Sequence, residues 1–228
     1  MMPRLKTAHI NGLRLLVHLA SLGFLLWLGY AVPAGLLGGD PVQGLTHYLG
    51  KGALHLLLLT LLVSPLAKRW RQGQLIKLRR PLGLWCAAWA GLHFMVWLGL
   101  DLQFDWRLIG GELVKRSYIV VGMVALLLLL ALSFTSIPAL LRRMGPAWQK
   151  LHNWVYALAL LVPVHYWWSL KSGWGEPLIY LLLACALLCS RSTLLSIATL
   201  ACCTALASRE ICSDCVSIRA REVSVISD

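Results

Sequence analysis

Seven histidines punctuate a chain of 228 residues in which only 13% are charged: His9, His18, His47, His55, His93, His152 and His165. Imidazole can ligate a transition metal as the neutral base, relay a proton near neutral pH, or tie neighbouring helices by hydrogen bonding. The stretch QKLHNWVYALALLVPVHYWWS, residues 149–169, places His152 and His165 near opposite ends of an apolar run. If the run is helical, they are separated by about 20 Å of axial rise. The two rings therefore sit at different depths, and neither can complete the other's coordination.

The elements that position these residues are set by composition. Hydrophobic residues make up 59% of the chain, mean hydropathy is +0.73, and there are 11 tryptophans. Such a composition belongs in a bilayer. Apolar segments near 10–30, 48–66, 81–100, 117–137, 150–169 and 176–190 predict an all-α membrane protein, a six-transmembrane-helix bundle; the last segment reaches spanning length only by tilting or extending. A net charge of +12 does not indicate nucleic acid here, because the basic residues flank the apolar runs. The second connection carries Lys68, Arg69, Arg71, Lys77, Arg79 and Arg80, and the fourth carries Arg142, Arg143 and Lys150, whereas the first has neither Lys nor Arg. Counted this way, connections two and four and the N-terminus are cytoplasmic. The first apolar run is longer than a signal-peptide core and is retained as a membrane helix. No connection has room for a nucleotide-binding or catalytic domain.

Depth then selects one pair of histidines. On two helices running in the same direction, His93 lies about 18 Å beyond Pro81 and His165 about 22 Å beyond Lys150. Two imidazoles at one level, approaching from parallel helices, can supply both axial ligands of a haem iron in an apolar slot. His152 belongs near the cytoplasmic surface, where it is a candidate for holding a second haem or a flavin. His18 and His55 read equally well as polar ties between helices. Two other classes of function compete with electron transfer: a small proton-conducting or transporter protein using membrane histidines as a relay, and a structural assembly subunit.

Other features have plainer readings. The tryptophans fall mostly near predicted interfaces, where amphipathic rings anchor. Gly50, Gly52, Gly83 and Gly91 permit close helix approach or leave space for a macrocycle. The basic second connection enforces topology and contacts anionic membrane lipids; Lys77, Arg79 and Arg80 are the candidates within it for a flavin phosphate. Cys86 stands alone, and CSDC at 212–215 has the spacing of a redox or metal pair without a second ligand set.

The stretches HYLGKGALHLLLLTLLVSPL, RRPLGLWCAAWAGLHF and FTSIPALLRRMGPAWQKLHNWVYALALLVPVHYWWSLK resemble, in order and spacing, the ferric-reductase-like transmembrane domains, and among them the haem-binding membrane subunits of bacterial periplasmic methionine sulfoxide reductase systems. The similarity covers residues 10–190, between a cytoplasmic segment 1–9 and an atypical tail 191–228 that departs from the short basic end of that family. It implies an inner-membrane b-type cytochrome with haem b, and FMN as a further cofactor. The implied donor is the quinone pool or a cytosolic flavin reductase, and the implied acceptor is a periplasmic molybdenum-containing catalytic subunit that repairs oxidised methionine. The subunit itself is then not an enzyme. His93, His152 and His165 fall on the family's haem-associated positions. Arg79 and Arg80 stand where a fourth histidine would complete a symmetric two-haem arrangement, so that arrangement is not expected.

Overall fold

A computed structural model of the chain describes residues 6–170 and 173–190. The tail, with Cys212 and Cys215, and residues 171–172 lie outside the described residues. Among the described residues every regular element is helical: α1 (Thr7–Ala31), α2 (Pro41–Arg69), a 3-10 turn (Gly73–Leu78), α3 (Arg79–Val96), a π turn (Trp97–Asp101), α4 (Trp106–Lys115), α5 (Ser117–Phe134), α6 (Pro138–Met144), α7 (Pro146–His152), α8 (Val155–Ser169) and α9 (Gly175–Ser190). In hydrocarbon the backbone must satisfy its own hydrogen bonds, which is why runs of this hydropathy fold as helices.

Among the described residues four stretches are long and apolar enough to cross a membrane: Thr7–Ala31, Pro41–Arg69, Gly73–Asp101 and Ser117–Phe134. The chain is thus an all-α, multi-span membrane protein. The expected fifth and sixth segments are shorter. The fifth is divided between α7 and α8, the latter of 15 residues, because the path tightens at the junction. Trp154 N–H bonds the Leu151 carbonyl and Tyr156 N–H bonds that of Asn153, both over three residues, before Leu158 N–H returns to Trp154 over four. Such three-residue bonds are those of a 3-10 turn, which separates α7 from α8.

The connections carry more structure than the sequence suggested. Asp40 caps α2 by accepting from Gln43 N–H, with Pro41 in the first turn, where its missing N–H costs nothing. The basic second connection is pinned rather than loose. Leu75 and Leu78 are buried with Ile10, Val63, Ala67 and Leu82, so the turn packs under α1. In the third connection Asp105 accepts from Arg107 N–H and opens α4, an element not expected from the sequence. The helix expected to reach residue 137 ends at Phe134, where the Thr135 and Ser136 hydroxyls turn back onto carbonyls of the last turn and Pro138 starts α6.

Packing is organised around two antiparallel pairs, α2 with α3 and α5 with α8. They meet through α3 on α5 and α2 on α8. Leu57, Cys86, Ala87, Ala125, Leu129 and Leu158 form the shared core. Lipid is as apolar as leucine, so association rests on close contact and on polar ties. Trp89, expected near an interface, is instead buried across Gly52, against which any Cβ would collide with its ring. By contrast α1 buries only Ile10, Ser21, Leu28 and Ala31, and leaves Leu15, Leu16 and Leu19 outward.

Candidate cofactor-binding site

His93 from the α2–α3 pair and His165 from the α5–α8 pair line a common cavity of about 600 Å³, which His47 near the start of α2 also lines. His93 is near the end of α3 and His165 near the end of α8, so each reaches the opening turns of its antiparallel partner. His93 Nδ1 lies 2.9 Å from the Thr46 carbonyl on α2, and His165 Nδ1 lies 2.7 Å from the Tyr118 carbonyl on α5. A carbonyl can only accept, so Nδ1 carries the proton in both rings and Nε2 is left as the basic nitrogen. The ring centres are 6.4 Å apart, with planes at 86°.

The two halves repeat one another. Both hydrogen bonds span 47 residues. One helical turn beyond each accepting carbonyl stands a glycine, Gly50 after Thr46 and Gly122 after Tyr118, and each lies against the imidazole that the carbonyl holds. A Cβ on Gly50 would come 3.2 Å from the His93 ring; one on Gly122 would come 2.6 Å from that of His165. The offset that carries Thr46 to Tyr118 and His93 to His165 also pairs Ala53 with Ala125, Leu57 with Leu129 and Ala87 with Ala159, all buried. It also pairs Arg80 with His152, which is why only one level of the bundle has matched imidazoles.

Leu54, Leu57, Ala90, Ala125, Leu129 and Leu158 are among the apolar residues lining the cavity, while Asp40, Lys51, Asp101 and Arg116 bring charge to it. The π turn after α3 starts at Trp97, four residues beyond His93, and Trp97 lines the same space. Beside it Lys51 pairs with Glu176 at 2.8 Å, and Tyr166 donates to the same carboxylate at 3.0 Å, tying α2, α8 and α9 together.

His152 is separate from this cavity. Its ring stacks on Trp148 at 4.0 Å, its Nε2 is 3.2 Å from the Thr135 hydroxyl, and Trp148 donates to the Thr135 carbonyl. Lys77 and Arg80 are exposed and Arg79 is half-buried, all at the start of α3 or just before it. His18 accepts from the Trp85 indole N–H at 2.8 Å, and His55 pairs with the Tyr180 hydroxyl at 2.8 Å. Among the described residues no three His, Cys, Asp or Glu side chains converge as a metal centre. Sequence reasoning missed the glycine and carbonyl partners of the two rings; their signal was the repeated spacing itself, which becomes visible only once the histidines are aligned.

The structure is thus a helical membrane bundle in which an imidazole from each of two repeated helix pairs faces one cavity. The chain belongs to the family described as ferric reductase like transmembrane component, which matches residues 49–163. Among curated relatives, it is similar to the protein-methionine-sulfoxide reductase heme-binding subunit MsrQ of Pectobacterium atrosepticum, with 47% identity over 189 residues, 82% of this chain and 95% of the relative. The protein of the same name from Pectobacterium carotovorum subsp. carotovorum is 46% identical over the same shares.

Proposed function

We propose that the protein is a b-type cytochrome subunit that carries electrons across the bacterial inner membrane, with His93 and His165 as axial ligands of one haem. The observation that carries this reading is the disposition of the two rings. Imidazoles that share one metal through bonds of ~2 Å on opposite sides stand with their centres roughly 6 Å apart, and these stand 6.4 Å apart. The donor chemistry fits as well. Both Nδ1 protons are committed to carbonyls, so both rings offer Nε2 to a cavity lined by leucines and alanines and also by charged residues. Two ligands suffice because the macrocycle supplies the other four positions, so the absence of a three-residue cluster does not count against it.

When bound there, haem supplies one-electron transfer. The protein's part is to hold both imidazoles in one tautomer, to keep water from the iron with leucine and alanine, and to bring charged residues to the polar end of the cavity. The six-helix count of the family is met if α7 and α8 together, and α9, cross alongside the four long helices. With the N-terminus and the basic connections cytoplasmic, the His93/His165 level lies in the outer half of the bilayer, facing a periplasmic partner. That partner is the molybdenum-containing methionine sulfoxide reductase, to which catalysis belongs. Electrons enter from the inner side, from the quinone pool or a cytosolic flavin reductase. His152, with Lys77, Arg79 and Arg80, marks the face where a second haem or an FMN phosphate is accommodated.

An absorbance spectrum of detergent-purified protein expressed with haem supply tests the reading. A dithionite-reducible low-spin b-type spectrum is expected. A haem-free, stably folded protein would overturn it.

A further inference from the structure

We infer that Gly50 and Gly122 are positioning residues that hold the two imidazoles on the Thr46 and Tyr118 carbonyls, and so set how strongly each ring donates to the metal; the inference rests on the haem reading above. In an α-helix the carbonyl of residue i already accepts from the N–H of residue i+4. An outside donor must use the second lone pair and approach alongside the Cα of residue i+4. Here the residue at i+4 from each accepting carbonyl is glycine, in both halves of the molecule, and in both the neighbour that an added Cβ would strike is the imidazole. Close packing alone does not explain the pattern. Gly83 and Gly91, on α3 itself, have open space where a Cβ would go, and Gly52 faces an indole.

The chemistry follows from the hydrogen bond. An imidazole whose Nδ1–H donates to a carbonyl has a more basic Nε2, which favours the oxidised, more positively charged metal. Pushing the ring off its carbonyl weakens that donation, and a larger push removes the ligand. The two sites differ in degree. At Gly50 the ring must give by a few tenths of an ångström, whereas at Gly122 the overlap is too deep for such a small adjustment.

The test uses the full-length, haem-loaded protein in detergent with Gly50→Ala, Gly122→Ala and, as control, Gly91→Ala. Three quantities are read: the low-spin spectrum, uptake of carbon monoxide by the reduced form, and the midpoint potential. Gly122→Ala is expected to lose the low-spin spectrum and to take up carbon monoxide, which needs a vacated axial position. Gly50→Ala is expected to stay low-spin with a potential shifted upward, and Gly91→Ala to match the parent. If the parent itself shows no low-spin haem, the underlying reading fails. If the parent is low-spin and both alanine variants keep its spectrum, its inertness to carbon monoxide and its potential, the inference alone is overturned. Should Gly122→Ala fail to insert, Gly50→Ala decides by the same two outcomes.

Discussion

The His93 and His165 rings face one another at 6.4 Å although they ride on different helix pairs, and each is held from behind by a carbonyl of its own pair. If they share one haem as proposed, removing either opens the same coordination sphere. His93→Ala and His165→Ala are each expected to abolish the low-spin spectrum while the protein still inserts. His18→Ala and His55→Ala, whose rings bond Trp85 and Tyr180, are expected to leave it unchanged. Spectra of the four variants at matched membrane content check this, and a parental spectrum from both of the first two would sink the pair.

His152 makes a different prediction. Its ring is part of a local brace with Trp148 and Thr135 at the α7–α8 junction. His152→Ala should leave the His93/His165 spectrum in place and lower thermal stability by about 1 kcal/mol, the worth of one ordinary hydrogen bond. The haem-to-protein ratio, measured on the same sample, reports whether the inner level holds a second haem: a fall to half identifies one.

Glycine substitutions should split by neighbour. Gly52→Ala drives a Cβ into the buried Trp89 ring and is expected to destabilise by about 1–3 kcal/mol, the range for overpacking. Gly83→Ala meets nothing and is expected to stabilise by roughly 0.5–1 kcal/mol, because alanine loses less backbone freedom in a helix. Thermal melts in one detergent give both signs, and equal effects would contradict the packing described.

Orientation is open to labelling with a membrane-impermeant thiol reagent. In a background with Cys86→Ser, which keeps the donor to the Ala53 carbonyl, and with the remaining cysteines replaced by serine, Leu36→Cys should label from the periplasmic side. Ile76→Cys should label only from the cytoplasmic side; Leu36 and Ile76 are both exposed. Gln72 is a poor reporter for the same connection because it is buried. The reverse pattern would invert the direction of electron flow proposed above.

How much of this was legible beforehand differs by level. The spans of α2, α3 and α5 follow from hydropathy, and the meeting of His93 with His165 followed from counting depth along two like-directed helices. The division of the fifth segment did not, because Asn153 and Trp154 carry no proline or glycine and the tightening depends on Trp148 and His152 folding back onto Thr135. Trp89 was misplaced for a related reason. Composition says that tryptophan favours interfaces, but only contact with Gly52 shows where this one goes. The carbonyls of Thr46 and Tyr118 were invisible because a backbone acceptor leaves no mark in side-chain identity.

The carbonyl bonds also bear on how such a protein is put together. His93 on α3 is anchored by a carbonyl of α2 and His165 on α8 by a carbonyl of α5, each an earlier helix of its own pair, so each half-site is finished without help from the other half. During synthesis the first imidazole can be set in its tautomer before residue 118 has left the ribosome. On the proposed haem reading the macrocycle would be a late rivet between two prefabricated leaves, and shortage of haem should yield an inserted protein awaiting its cofactor rather than a misfolded one.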